Sequence, residues 1–237
     1  MSVKPNALSS TTDRRLYTWA AMVAIAIVFA GFARTYFLKT SFGTPELPTL
    51  LHAHGFVMSL WFVLFLVQVR LVATRRTDLH RRVGVFGALV AAAVLIVGTA
   101  TAITAAKLGH TPGPPPLIFL AIPLGDMLVF ALLVGTGLYF RRRSDIHRRL
   151  MLLSCVGMLT AAISRIPLDF IQAGGLPMFF GLTDLVVLCC VVYDTVKQRR
   201  LHPAFGWGAL LIVASHPLRF LLAGTPAWQQ FASWLVR

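Results

Sequence analysis

Charge is what this sequence has least of. Only 13% of its 237 residues are Asp, Glu, Lys or Arg, and 57% are hydrophobic; soluble domains run nearer a quarter charged and half apolar. That shortage, with a mean hydropathy of +0.76, excludes a disordered chain and a cytosolic enzyme. Cysteine is scarce too. Cys155, Cys189 and Cys190 all fall inside apolar runs, without a CxxC pair or a secretory framework, so a disulfide scaffold is excluded. The first apolar stretch is not followed by a small-residue cleavage site, and it is expected to be a first span rather than a signal peptide. No P-loop, GxSxG, HExxH or dinucleotide fingerprint stands in the context it needs. The last apolar run contains no lysine, which excludes a retinal Schiff base of the rhodopsin kind.

What the sequence has is long apolar runs, at about 16–38, 50–73, 83–107, 117–140, 150–172, 176–196 and 203–223. Each is long enough to cross a bilayer as a helix. The expected fold is an all-α integral membrane bundle of seven transmembrane helices. Residues 1–15 form an N-terminal arm, 16–223 the membrane domain, and 224–237 an interfacial tail carrying Trp228, Phe231 and Trp234.

Basic residues outnumber acidic ones 22 to 8, a net charge of +14. The arginines sit in short clusters between the apolar runs, as loop charges of a membrane protein do, so nucleic acid is not the expected partner. Lys4, Arg14 and Arg15 precede the first run; Arg75, Arg76, Arg81 and Arg82 lie between the second and third. Arg141, Arg142, Arg143, Arg148 and Arg149 lie between the fourth and fifth, and Lys197, Arg199 and Arg200 between the sixth and seventh. The alternate loops carry little beyond Lys39 and Lys107. Seven spans put all the basic loops on one side, which predicts a cytoplasmic N-terminus and an external C-terminus.

The chain repeats itself. Arg75-Arg76-Thr77-Asp78-Leu79-His80-Arg81-Arg82 returns as Arg142-Arg143-Ser144-Asp145-Ile146-His147-Arg148-Arg149, with a shorter copy at Arg199-Arg200-Leu201-His202. Leu124-Gly125-Asp126 stands before the second copy as Leu182-Thr183-Asp184 stands before the third. Helix 1 is thus followed by three parallel-repeat hairpins, 2–3, 4–5 and 6–7. The plain reading of the DxHRR phrase is structural: a carboxylate at a helix start, and arginines that mark the cytoplasmic face and meet anionic lipid.

Ionisable groups within a bilayer are costly and mark candidate sites. Counting ~1.5 Å per residue from the basic loops, Asp126, Asp184 and His216 come out ~20–23 Å deep, Arg34, Arg165 and Arg219 ~25–29 Å, and His54 with Asp169 ~30 Å. Six helices therefore place such groups in the outer half, which predicts one polar pocket open toward the outside. Pro167 and Pro217 each remove a backbone donor near that level.

His54-Gly55, His80-Arg81-Arg82-Val83-Gly84, His147-Arg148-Arg149-Leu150-Met151 and Arg165 together resemble a bacterial multi-pass membrane family catalogued as domain of unknown function 2306, over roughly residues 50–170. That label carries no activity; it implies a bacterial inner membrane location. More distantly the pattern looks like cytochrome b561-type and ferric-reductase-type bundles, where histidines on neighbouring helices hold b haems.

Three chemistries suit these residues. A b-type haem needs axial imidazoles from two helices. His54 with His216 would make an outer pair, with Arg34, Arg165 and Arg219 facing propionates, and His80 with His147 an inner pair. His216, the one histidine well inside the core, is the leading ligand candidate. The protein would then be an electron-transfer component serving a quinone or a redox partner. Alternatively Asp126, Asp184 and His216 hold Zn or Fe in a membrane hydrolase. The third possibility is binding or transport of a small anionic solute at the arginines.

Overall fold

The computed structural model describes residues 11–237, with side chains from residue 15. Lys4, the Arg14 side chain and most of the 1–15 arm lie outside the described residues. Helix α1 (Thr11–Phe32) runs on through a π-helical turn, Ala33–Phe37. It is followed by α2 (Thr49–Ala73), α3 (Thr77–Lys107), α4 (Pro116–Tyr139), α5 (Ser144–Ile163), α6 (Asp169–Gln198) and α7 (Pro203–Ala223), and then by a shorter α8 (Pro226–Leu235). The first seven are long and apolar enough to cross a membrane, so the chain is the all-helical, seven-span bundle that the apolar runs predict.

Helices α3 and α5 begin six residues earlier than their apolar runs suggest. The DxHRR phrases are therefore the first helical turns, not the loops. Arg76 and Arg143 occupy the N-cap positions, and no side chain caps either helix. A further difference lies between the fifth and sixth spans. The apolar run 150–172 predicts one helix through Pro167, but α5 stops at Ile163 and α6 starts at Asp169. Proline pushes the residue before it away from helical geometry and donates no amide hydrogen. The carbonyls freed in this turn are met from α6, where the Gln172 amide donates to Ser164 O (3.1 Å) and Ile166 O (2.8 Å). Gly175, at φ 56° and ψ −150°, then breaks α6 after its first turns, a backbone state open only to glycine. Pro217, by contrast, stays within a continuous α7.

The turns 74–76, 140–143 and 199–202 form one arginine-rich face; residues 38–48, 108–115 and 164–168 lie at the other. Helix α5 is the central post, packing on α1, α4, α6 and α7, while α2 packs mainly on α3 and α1. Outward sides carry large apolar groups such as Phe56 (62% exposed), Leu89 (66%) and Ile96 (69%), a surface suited to lipid contact. Inside, the Trp61 and Phe130 rings meet edge to face at 4.9 Å. Such packing holds membrane helices together when lipid is as apolar as the core.

One close approach fixes α1 against α5. A methyl group on Gly31 would overlap the Ala162 main chain. Gly31→Ala is expected to cost about 1–3 kcal/mol, read as a lower melting temperature in detergent. An unchanged melt would show that the two helices are not held at this point.

Candidate polar sites of the bundle

Three polar groupings emerge at different levels. The first joins α4, α6 and α7. Arg219, 5% exposed, donates through Nη1 to the Asp126 carboxylate (2.6 Å) and the Ile122 carbonyl (3.3 Å), and through Nη2 to Ser215 Oγ (3.0 Å). Its side chain lies directly across Gly125, where a Cβ would collide with Nε and come within 2.8 Å of Cδ. One turn away, His216 Nδ1 is 3.2 Å from Asp184 Oδ1. The His216 ring stacks on Phe180 at 4.3 Å, and its Nε2 is buried without a partner. The Thr160 and Thr183 hydroxyls share a buried bond of 2.9 Å beside them. A cavity of about 10 Å³ between Asp126, Ser154, Gly157 and Arg219 has room for about one water.

The second grouping is the outer rim. Arg34 is exposed, its guanidinium 5.0 Å over the Phe42 ring. Arg165 lies in the turn after α5 rather than in a helix; it stacks over Phe32 at 4.9 Å and donates to the Ala161 carbonyl (2.7 Å). His54 is half-buried, with Nδ1 unpartnered. Depth counting put these residues in one pocket with Arg219 and His216. Depth, however, says nothing of which way a side chain points around the helix, and Arg34 and Arg165 sit on exposed faces of the rim. His54 stands on α2, which packs on α1 and α3, while His216 stands on α7, which packs on α4, α5 and α6. No hydrogen bond or ring contact joins the two, so the outer axial pair is not assembled.

The third grouping is at the arginine-rich end. The rings of His80 on α3 and His147 on α5 stand 6.3 Å apart in a T-shaped arrangement. His147 Nδ1 is 2.8 Å from the Gly137 carbonyl and donates to it, which leaves Nε2 with its lone pair. His80 Nδ1 and Gln68 Oε1 are buried without partners, and the Gln68 amide lies against Gly84, one turn along α3 from His80. Beside this pair, Arg149 makes a two-pronged ion pair with Asp194: Nε to Oδ2 at 2.9 Å and Nη2 to Oδ1 at 2.8 Å, with side chains 2% and 3% exposed. Arg149 Nη1 also donates to the Asp145 carbonyl (2.8 Å). Asp145 in turn meets His202 Nε2 at 3.3 Å, and His202 Nδ1 accepts from the Ala204 amide. Burial, and then the Arg149 charge, hold the His202 imidazole below its ordinary pKa. It is therefore neutral near pH 7, with its proton on Nε2 facing the carboxylate.

The Arg149–Asp194 pair is not what a cluster of loop charges predicts. The available signal was helical phase: Arg149 repeats with Leu152, Leu153 and Val156, all fully buried.

The metal reading finds no support in this geometry. Among the described residues no three His, Cys, Asp or Glu side chains converge on a point, and Asp126 is committed to Arg219. A haem is tested by the same criterion. Two metal–imidazole bonds of ~2 Å and two ring half-widths of ~1.1 Å put axial ring centres ~6 Å apart. The His80–His147 separation fits that figure, and a ligand imidazole whose other nitrogen donates to a carbonyl is the usual support for such a bond.

No family model, curated protein or solved structure matches the chain. The family likeness read from the His-Arg-Arg phrases rests on those phrases.

Proposed function

We propose that the chain is a membrane redox component that holds one b-type haem at its arginine-rich end, with His80 and His147 as the axial pair. The observation that carries this reading is the pair itself: two imidazoles from different helices, 6.3 Å apart, one of them oriented by a backbone carbonyl. The haem would supply one-electron chemistry. The chain's own residues do the rest. Gly137 fixes the tautomer and direction of His147. Arg148, its guanidinium 5.7 Å over the Tyr17 ring, would add positive charge beside the group. The lipid-facing bundle around it keeps the site within reach of a quinone or a membrane-bound redox partner. The arginine-rich turns support a cytoplasmic N-terminus, and the likeness to a bacterial membrane family supports an inner-membrane location; the haem would then lie on the cytoplasmic side.

The test is the visible spectrum of the full chain, purified after expression with haem precursor supplied. A Soret band is expected. His80→Ala or His147→Ala should remove it or shift it to a high-spin form, while His54→Ala and His216→Ala leave it in place. A colourless wild-type protein overturns the haem reading. A band lost in His216→Ala but kept in His147→Ala moves the haem to the other end of the bundle.

A further inference from the structure

The arginine-rich face carries a cleft that the haem reading does not use. It is about 740 Å³ in volume and lies between the end of α4, the start of α5 and the start of α7. Its floor is apolar, from Phe140, Leu150, Leu201 and Trp207, and its rim carries Arg143 and Arg200. Both arginines are exposed, and among the described residues neither has a carboxylate within ion-pairing distance. The one acid in the cleft, Asp145, accepts from the neutral His202 imidazole, so two guanidinium groups face one carboxylate. Helix α5, 20 residues long, starts at the same space with Arg143 as its N-cap residue, so its dipole adds to the positive field.

We infer that this cleft is a binding site for an anionic phospholipid of the adjoining leaflet, its phosphate between Arg143 and Arg200 and an acyl chain along Trp207. The direction of the cleft selects a lipid over a soluble anion. Trp207 is 72% exposed and lies ~6 Å into α7 from its first residue. Tyr139, beside the cleft, is 77% exposed. Exposed aromatics at that level are interface anchors, so the cleft runs from headgroup depth into the apolar zone. A phosphate alone would fill the rim and leave the apolar floor bare. The volume accommodates a headgroup and the first part of a chain.

The test uses the full chain in detergent, with native mass spectrometry of bound lipid. The probes are phosphatidylglycerol and phosphatidylcholine with identical acyl chains. Because the chain is strongly basic everywhere, the control removes equal charge from another turn. Arg143→Gln with Arg200→Gln is compared with Arg75→Gln with Arg76→Gln, all four being exposed. The wild type should retain phosphatidylglycerol in preference to phosphatidylcholine. The cleft variant should lose about 25-fold of that retention, the product of ~5-fold per arginine, while the control keeps it. Equal loss in both variants would mean diffuse charge and overturn the site. So would retention unaffected by the cleft variant, or no preference for the anionic lipid in the wild type. Displacement of phosphatidylglycerol by millimolar inorganic phosphate would identify a soluble-anion site and overturn the lipid assignment.

Discussion

Replacing Arg149 with alanine should cost about 3–5 kcal/mol of stability, the usual effect of leaving one member of a buried ion pair without its partner. The Asp194 carboxylate, 3% exposed, would stay in the core with neither guanidinium nor water. The same change removes the bond to the Asp145 carbonyl and the stacking of the guanidinium over Phe205 at 5.6 Å. The readout is thermal aggregation in detergent, followed by size-exclusion chromatography. Exchanging both members, Arg149→Met with Asp194→Leu, should recover most of the loss, because the pair is not required for stability when apolar groups fill its space. If the single variant melts within a degree of wild type, the pair is not buried in the membrane protein as it is here.

The second large effect concerns a residue that makes no polar contact of its own. Gly125→Ala puts a methyl group where the Arg219 side chain crosses α4. The atoms in its way are Nε, Cδ and Cγ of Arg219, so that side chain has to move, and Asp126 is expected to lose the guanidinium 2.6 Å away. The expected cost is again about 3–5 kcal/mol. A sign reversal separates this account from simple overpacking. In the native background Asp126→Asn should destabilise, because it removes the charge that holds Arg219. In the Gly125→Ala background the same change should stabilise, because it removes an abandoned carboxylate. Destabilisation of similar size in both backgrounds would mean that Gly125 and the ion pair are independent.

The seven spans were legible because each is a run of apolar residues longer than a bilayer is thick, and no other feature of the sequence competes with that signal. The ends were less so. His80, Arg81 and Arg82, and their counterparts before Leu150, carry no hydropathy, yet they form the opening turns of α3 and α5. At Pro167 the run stays apolar while the backbone turns, so the break falls where composition is silent and stereochemistry is not. Counting depth placed Asp126, Asp184 and His216 on one level, and the structure gives Asp126 to Arg219 and the other two to each other. The count could not see rotation about the helix axis. That is why Arg34 and Arg165 are rim residues, why His54 and His216 are not joined, and why Arg149 turns inward while Arg141, Arg142 and Arg143 are exposed. The contact between His80 and His147 was reachable from the repeat, since both open their helices at the same point of the same phrase.

The position of α5 has a consequence for how the chain is made. It is the least apolar of the seven spans and the most enclosed by its neighbours, and it begins with His147, Arg148 and Arg149. An arginine offered to a bilayer by a single helix is costly to insert, by ~2.5–3.5 kcal/mol at the helix centre and less toward its ends. The carboxylate that neutralises Arg149 is on α6, 45 residues further along the chain, and leaves the ribosome later. A nascent chain ending before Asp194 therefore has its central post in place without the charge that completes it. The Arg149–Asp194 pair thus makes α5 and α6 two spans whose packing is completed together, and α5 without α6 is expected to insert less well.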